Sequence, residues 1–417
     1  MMAPVFPLCS RKLLLLCFVD DVNFEADMVN AVSTVGGQVL DPRFAEIEEV
    51  FRENFALGLE SAGASFAVFH KGKLVVDLWG GLKDRTSRQL WTKDTMSILF
   101  STTKSLAATI LAIVMDQEHI SYSQKVAEFW PEFAGNGKEH ITILNVVLHQ
   151  AGLPYSEQMI NREDVVDWRK MSAYFENATP VWTPGTQSGY HALTFGFLID
   201  QIIRRIDSKK RGVNDILKEL IQCYDIPNIS IGLKHPDDND RVATLQYPSK
   251  LQIEAEGRHN PEVLRRWNAG DNEHNRHLYD TWRWITTDDY NSLENRILPM
   301  PSNMGIGNAR SLAQLHSLLA ERKILSDAFY KHFEQPVLED EMDVVIGYEE
   351  SKGYGYQFTR NPMGQWIFGH SGFGGQNVRV DVHNRLSYAY VCNGLKIADA
   401  DLVEPWKRMV DKMYSLL

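Results

Sequence analysis

Apolar and polar residues follow two periodicities along this chain, and the strand-like pattern is confined to its two ends. Residues 64–81 (ASFAVFHKGKLVVDLWGG) run apolar on either side of a Lys-Gly-Lys turn, which predicts a β-hairpin. Near the other end, four short apolar or alternating runs are separated by glycine and asparagine turns, at 354–358, 366–372, 376–382 and 386–394. Such short connections predict an antiparallel sheet in which strands from both ends of the chain meet.

Between these ends, apolar residues spaced three and four apart predict helices. The clearest helical patterns cover residues 42–62, 101–118, 141–149, 192–206, 214–223 and 309–321, with a closing amphipathic helix at 402–417. We therefore expect an α/β fold of the α+β kind, with an antiparallel sheet flanked by helices. Its sheet parts are about 42–124 and 346–417, a mostly helical subdomain occupies about 125–345, and residues 1–41 are a leader outside the fold.

One stretch inside the helical subdomain is different, because residues 234–300 are polar and charged. A long segment of this kind in a compact protein is usually a lid, a binding loop or an insertion, and we expect it to shape the pocket. It contains His274 and His277, but no glutamate in the HExxH position. The pair therefore predicts a solvated surface rather than a zinc site.

Composition limits the classes of partner. The 417 residues are 44% hydrophobic and 23% charged, as in a globular protein with a sizeable core, and the net charge of −11 argues against nucleic acid. Four scattered cysteines without CxxC spacing favour a reducing compartment, hence the cytoplasm. Arg11-Lys12 before the short apolar run Leu13–Val19 leaves a secretion or organelle signal open. We find no segment long and apolar enough to span a membrane.

Candidate chemistry lies at the head of the helix that begins near residue 101. Ser101 and Lys104 are three positions apart, so they share one helix face. A serine becomes a nucleophile when a base takes its proton, and a lysine whose pKa is lowered by burial can do this. The free N–H groups of a helix start also suit a developing oxyanion. The alternative is that Ser101 only caps a core helix.

Five motifs in a fixed order resemble those of the serine β-lactamase-like superfamily, which includes class C β-lactamases, DD-peptidases and family VIII esterases. They are FSTTKSLAA (100–108), ILNVVLHQAGLP (143–154), WTPGTQSGYHALTFGFLIDQII (182–203), NMGIGNARSLAQLHSLL (303–319) and FGHSGFGGQN (368–377). The resemblance runs from about Pro42 to the C-terminus. It implies a β-lactamase/transpeptidase-like fold.

The resemblance also implies roles for individual residues. Ser101 would be the nucleophile that forms the acyl-enzyme, and Lys104 would assist its deprotonation. Tyr190 matches the tyrosine that shares or holds the base role, and a nearby lysine could push it toward phenolate. The backbone N–H groups of Ser101 and Phe373 would form the oxyanion hole.

The third motif, His370-Ser371-Gly372, would bind substrate. It departs from β-lactamases, because His370 replaces a lysine and so removes a fixed cation at neutral pH. Ala192 likewise replaces an asparagine that would hold a substrate amide. Ser371 also lies in a GxSxG-like run, but Phe373 replaces the second glycine, so we do not assign it as a nucleophile.

These features predict a serine hydrolase acting through an acyl-enzyme, most simply an esterase on small or medium carboxylic esters, with no metal or organic cofactor. A peptidase, amidase or β-lactamase-type hydrolase acting on peptide-like substrates is the alternative among enzymes. A scaffold that keeps the fold without catalysis is the alternative from another class. The sequence leaves the oligomeric state open, including a homo-oligomer.

Overall fold

The computed structural model describes residues 34–287 and 290–417. The signal-like stretch Leu13–Val19 lies outside the described residues. The described strands are β1 (Gly36–Val39), β2 (Gly63–His70), β3 (Lys73–Asp84), β4 (Gln89–Leu90), β5 (Ser97–Ile98), β6 (Ile229–Ile231), β7 (Gly305–Gly307), β8 (Leu338–Met342), β9 (Glu349–Gly353), β10 (Tyr356–Arg360), β11 (Trp366–Gly372), β12 (Gln376–Asp381) and β13 (Leu386–Cys392). The described α-helices are α1 (Glu46–Ala56), α2 (Thr103–Gln117), α3 (Ile143–Val147), α4 (Arg162–Val165), α5 (Trp168–Asn177), α6 (Thr194–Ile206), α7 (Val213–Cys223), α8 (Lys250–His259), α9 (Pro261–Ala269), α10 (Glu273–Thr281), α11 (Arg283–Thr287), α12 (Leu293–Arg296), α13 (Ala309–Ala320), α14 (Asp327–Tyr330) and α15 (Glu404–Ser415).

The main sheet is antiparallel, in the order β1-β3-β2-β13-β12-β11-β10-β9-β8, with β4 paired to β3. Strands from the two ends of the chain pair directly, with Ala67 of β2 opposite Ala389 of β13. The predicted meeting of the two ends is thus confirmed. The sheet begins earlier than expected, because β1 lies within the predicted leader 1–41 and pairs Gly36 with Trp79. Backbone hydrogen bonds hold this short glycine-rich strand, which has no hydrophobic pattern to reveal it.

Helices cover both faces of the sheet, so its central strands are buried on both sides, whereas the outer strands β1 and β8 are largely exposed. On one face, α1 and α15 form a core with the sheet, in which the Trp406 ring stacks 5.2 Å from that of Tyr388. On the other face lie α2, α13 and the helical region. Even the polar residues of β12 are buried, and Asp381 accepts a hydrogen bond of 2.7 Å from the Tyr414 hydroxyl.

Helix α2 lies at the centre of the second core. Every residue from Thr103 to Met115 is buried, as expected for a helix that is apolar on all sides. Its 15 residues span about 22 Å, less than the roughly 30 Å of a bilayer core. Across the described ranges, no helix combines the length and the apolar character that a membrane span requires.

The middle of the chain is less purely helical than its pattern predicts. Strands β6 and β7 join β5 in a small second sheet, and β7 occupies the MGIG stretch where no strand was expected. The described residues of the polar segment 234–300 include the helices α8–α12. Local interactions stabilise these helices, such as the capping box formed by Ser249 and Gln252 and the ion pair between Glu262 and Arg266. These interactions do not produce an amphipathic pattern in the sequence.

Candidate active site

The head of α2 is held in place by β7. A single turn of 3-10 helix, Phe100–Thr102, leads into α2, and Ser101 lies half-buried within it. Gly305 of β7 donates its N–H to the Thr103 hydroxyl at 2.8 Å and accepts from Leu99 N–H at 2.8 Å. Phe100 adopts a left-handed backbone with φ 44°, a conformation that costs a bulky residue of the order of 1–3 kcal/mol. The residue before Ser101 is thus strained.

Lys104 reaches Ser101 from one turn along the helix. Its side chain is 0% exposed, and its Nζ lies 3.2 Å from Ser101 Oγ. The same nitrogen donates to the backbone carbonyls of Ala192 at 2.7 Å and Ser302 at 3.1 Å. Burial lowers the pKa of Lys104 well below its ordinary value. A neutral lysine amine has two N–H groups and one lone pair. When the carbonyls of Ala192 and Ser302 accept both N–H groups, the lone pair of Lys104 faces the Ser101 hydroxyl and can accept its proton.

Tyr190 completes this group. Its hydroxyl lies within hydrogen-bonding reach of Ser101, and its ring centre is 4.7 Å from Lys104 Nζ. Burial raises the pKa of Tyr190 well above its ordinary value. The nearby charges that act on Tyr190 are carboxylates, which do not offset that burial, so the protonated phenol is favoured. The expectation that Lys104 would push Tyr190 toward phenolate was therefore wrong.

The end of β11 closes on the head of α2 at Gly372. A Cβ atom at this glycine would lie 2.3 Å from the Leu99 carbonyl oxygen and 2.8 Å from Thr102 Oγ1. Only glycine permits this approach. Phe373 follows directly, and its ring packs 5.5 Å from that of Phe100. The backbones of Ser101 and Phe373, the predicted oxyanion pair, thus lie on two elements in contact.

His370 lies behind this contact and is buried. Its Nδ1 donates to the Ser371 carbonyl at 2.6 Å, and its ring centre is 6.1 Å from that of Tyr190. Burial lowers the pKa of His370 well below its ordinary value, so the third motif carries a neutral imidazole. An anionic substrate group therefore finds no cation at His370.

Aromatic rings border the site on the side of the Phe100 ring. The Tyr290 ring packs 5.1 Å from that of Phe100, which also contacts the Phe373 ring. Tyr290 lies in the segment 234–300, and its hydroxyl accepts from Asn303 Nδ2 at 3.3 Å. That segment therefore contributes to the surroundings of Phe100, the residue beside Ser101.

A buried charged cluster supports the Tyr190 side. Asp343 Oδ1 accepts the Tyr190 N–H at 3.0 Å and the Val345 N–H at 2.9 Å. The Asp343 carboxylate pairs with Lys352 of β9, whose Nζ also donates to Ser188 Oγ at 3.2 Å. Asp343 and Lys352 are 0% and 2% exposed. The backbone of Tyr190 is thus tied to the far end of the sheet.

Sequence reasoning did not identify this cluster or the carbonyls that hold Lys104. A carbonyl contact depends on backbone position rather than residue type, so Ser302 and Ala192 gave no signal for it. Lys352 lies in the polar run EESKG, which is typical of an exposed strand. Its only signal was its closeness in sequence to the third motif, within the predicted sheet.

The profile of the beta-lactamase family matches residues 51–409. A crystal structure of a penicillin-binding protein homologue from Caulobacter crescentus superposes with a TM-score of 0.77 at 31% identity, covering 92% of this chain and 100% of that one. A crystal structure of a family VIII carboxylesterase superposes with a TM-score of 0.76 at 28% identity, with the same coverage of both chains.

Among curated proteins, the esterase/beta-lactamase LipL of Mycobacterium tuberculosis is 34% identical over 215 residues, which are 52% of this chain and 49% of LipL. A beta-lactamase of Escherichia coli is 27% identical over 135 residues, which are 32% of this chain and 34% of that protein. The chain thus spans half or less of the length of these curated relatives.

Proposed function

The chain belongs to the beta-lactamase family, and we propose that within this family the protein is a serine hydrolase that cleaves small or medium carboxylic esters through an acyl-enzyme. One observation carries the proposal. The buried Lys104 amine, whose pKa is lowered by burial, lies 3.2 Å from the Ser101 hydroxyl and donates to the carbonyls of Ala192 and Ser302. A hydroxyl beside such a base is an activated nucleophile.

In the first step, Ser101 Oγ attacks the ester carbonyl carbon while its proton passes to Lys104. The carbonyl π electrons move onto oxygen, and the N–H groups of Ser101 and Phe373 stabilise the resulting oxyanion. The Tyr190 phenol then donates its proton to the departing alkoxide and recovers one from the Lys104 ammonium. A water molecule attacks the acyl-enzyme by the same proton path, releases the acid and restores Ser101.

Three features favour esters over β-lactams and peptides. Ala192 offers no side-chain amide to hold a substrate amide, and the neutral His370 offers no cation for a substrate carboxylate. The ring contacts of Phe100 with Tyr290 and Phe373 suit apolar acyl or alcohol groups. An alkoxide also leaves more readily than an amine. The family VIII carboxylesterase is an esterase by name, which agrees with this choice, whereas LipL is named as both an esterase and a beta-lactamase.

The test is turnover of 4-nitrophenyl acetate and butyrate by the full chain and by Ser101→Ala. We expect a burst of nitrophenolate from the unaltered protein and none from the variant. A fluorophosphonate probe should label only the protein that retains Ser101. Undiminished turnover by Ser101→Ala would disprove the assignment.

The same assay separates the alternatives. Matched 4-nitroanilides and a chromogenic cephalosporin should react far more slowly than the esters. Faster turnover of either would make the protein an amidase or a β-lactamase instead. An absence of both labelling and turnover would favour a non-catalytic scaffold.

A further inference from the structure

The two carbonyls that hold Lys104 come from segments that are far apart in the chain. Ala192 lies just before α6, and Ser302 lies in the turn that precedes β7. Lys104 Nζ donates to the first carbonyl at 2.7 Å and to the second at 3.1 Å. An amine at the end of a flexible side chain keeps one direction only if both acceptors keep their places. The fold must therefore hold these two segments against each other.

The hydroxyl of Ser302 connects the two segments. Ser302 is 0% exposed, and its Oγ donates to the Leu193 carbonyl at 2.6 Å and accepts the Gly196 N–H at 2.7 Å. Leu193 is the N-cap residue of α6, and its apolar side chain cannot accept a hydrogen bond from a helix N–H. Ser302 supplies this cap from another segment. The same residue thus gives one carbonyl to Lys104 and fixes the helix start beside the other.

A glycine in the first turn of α6 permits this contact. A Cβ atom at Gly196 would lie 2.3 Å from the Pro301 carbonyl carbon and 2.5 Å from the Ser302 nitrogen. Any side chain at this position would therefore push the turn away from the helix. Only glycine lets the two segments lie close enough for the Ser302 hydroxyl to bond to both Leu193 and Gly196.

The segment before α6 also carries Tyr190. The Ala192 N–H donates to the Tyr190 carbonyl at 3.0 Å, and the Tyr190 ring centre lies 4.7 Å from Lys104 Nζ. A shift of the α6 start relative to Lys104 would therefore move the Ala192 carbonyl and Tyr190 together. Ser101 would then lose its alignment with both groups that move its proton in the proposed mechanism.

We propose that Ser302 is a positioning residue for ester hydrolysis, whose hydroxyl directs the Lys104 amine toward Ser101 by holding the start of α6 against the turn before β7. Ser302 acts through the two carbonyls that it holds in place, and it transfers no proton to or from the substrate. The inference rests on the proposed ester hydrolysis and adds to it a residue that lies just outside the five motifs.

The first experiment compares the acylation burst of Ser302→Ala with that of the unaltered full chain on 4-nitrophenyl butyrate. We expect the acylation rate constant at saturating ester to fall by about tenfold or more, because the base is misdirected. The half-saturating ester concentration should change by less than about twofold, because the ester does not contact Ser302. A folded Ser302→Ala with an unchanged acylation rate constant would overturn the proposal.

Ser302→Cys is a milder variant of the same position. Its thiol is similar in size to the hydroxyl but is a weaker donor and acceptor, so its loss of acylation rate should lie between zero and that of Ser302→Ala. If thermal melting shows that Ser302→Ala is unfolded, Ser302→Cys decides. An acylation rate constant equal to that of the unaltered protein would then contradict the inference.

Ser387→Ala is the matched control. Ser387 is also 0% exposed, and its hydroxyl donates to a backbone carbonyl, that of Ala313, at 2.9 Å. Both variants therefore remove a hydrogen bond made by a buried hydroxyl, and both should lower the melting temperature. Only Ser302→Ala should slow acylation. Equal slowing in both variants would mean that lost stability is the cause, and it would contradict the inference.

A titration of Lys104 itself gives a second measurement. Carbonyl oxygens stabilise an ammonium group, so a Lys104 that no longer meets both carbonyls should have a lower pKa in Ser302→Ala. Carbon-13 NMR of lysine labelled at Cε follows this group, identified by the signal that is missing from Lys104→Met. We expect the midpoint to lie about half a pH unit or more below that of Ser387→Ala. Coincident midpoints would contradict the inference.

Other titratable groups face Lys104 and are the same in every variant compared. They are Glu350 of β9, Tyr190, His149 and His370 of β11. The charge of Glu350 raises the pKa of Lys104, against the larger effect of burial. Replacing Ser302 removes none of these groups, so a moved midpoint reports the altered surroundings of the Lys104 amine.

The two measurements separate this inference from the proposed function. Abolished turnover in Ser101→Ala, together with a normal burst and a normal Lys104 midpoint in Ser302→Ala, would support the esterase and disprove the role of Ser302. A lowered Lys104 midpoint in Ser302→Ala, in a protein that turns over no ester, would support the role of Ser302 in holding the amine and disprove the esterase.

Discussion

Two buried lysines near the site have pKa values that are shifted in opposite directions. Lys104 is 0% exposed and lies among two carbonyls and a hydroxyl, and burial lowers its pKa well below the ordinary value. Lys352 is 2% exposed, and burial alone would lower its pKa too. The carboxylates of Glu350 and Asp343 outweigh that burial and raise the pKa. Burial therefore favours the neutral amine at Lys104, and the carboxylates favour the ammonium at Lys352.

The difference teaches that burial alone does not decide what a lysine does. Carbonyl oxygens solvate an amine without supplying a negative charge, so the proton is lost and a base remains. Carboxylates supply the charge, so the proton stays and the lysine joins a structural ion pair. Lys104 therefore has a chemical role in our proposal, and Lys352 has a supporting one.

The largest expected effect is the loss of catalytic rate when Lys104 is replaced. Lys104→Met should lower kcat/KM for 4-nitrophenyl esters by about 10³-fold, roughly 4 kcal/mol in the barrier, because no base remains beside Ser101. The fold should persist, since an apolar side chain replaces an uncharged one. Stopped-flow measurement of the acylation burst checks this.

Lys138 provides the matched control for that variant. It is also 0% exposed and donates to two carbonyls, those of Glu176 at 3.2 Å and Ala178 at 2.5 Å. Burial lowers its pKa to about 8, but its hydrogen bonds go to backbone carbonyls alone. Lys138→Met should leave the burst unchanged. An equal loss of rate in both variants would mean that general destabilisation is the cause.

For Lys352 the expected loss is in the stability of the fold. Lys352→Met leaves Asp343 and Glu350 buried without their cation, so the free energy of unfolding should fall by about 3 kcal/mol or more. Denaturant titration measures this loss. The rate per folded molecule should fall far less than in Lys104→Met, because Lys352 does not contact Ser101. A stable Lys352→Met with a collapsed rate would reverse the assigned roles.

The smallest effect distinguishes the two lysines by pH. Because burial lowers the pKa of Lys104, the unfolded chain binds this proton more tightly than the folded chain does, so this group's contribution to stability rises as pH approaches 10.5. The melting temperature of the unaltered protein should therefore rise relative to that of Lys104→Met between pH 7 and about pH 10, by roughly 2 °C.

The raised pKa of Lys352 has the opposite effect on how stability depends on pH. Its stabilising effect is fully present below 10.5 and is lost only as pH rises through the raised value. The deficit of Lys352→Met should therefore stay constant between pH 7 and pH 10. Melting curves across that range test both statements. Parallel pH curves for the two variants would contradict the assigned charge states.

Much of the fold was predictable from the chain because its signals are local. The run at Trp366–Gly372 was predicted to the residue, since apolar alternation ends there at a glycine. The helix carrying Lys104 was predicted because its apolar residues continue around every side. By contrast, β1 and β7 are short and glycine-rich, and only pairing with a neighbouring strand makes them strands.

The sequence by itself determined the order of the elements, the antiparallel sheet and the candidate residues Ser101, Lys104 and Tyr190, because hydrophobic periodicity and motif spacing are properties of the linear chain. Only the tertiary structure decided the direction of each lysine's pKa shift and the hydrogen bond that the Ser371 hydroxyl donates to Gln357. Those depend on which oxygens and carboxylates lie within about 3 Å, and groups such as Gln357 and Asp343 reach that distance only when the sheet forms. Chemical state is set by neighbours in space, and spacing along the chain does not specify them.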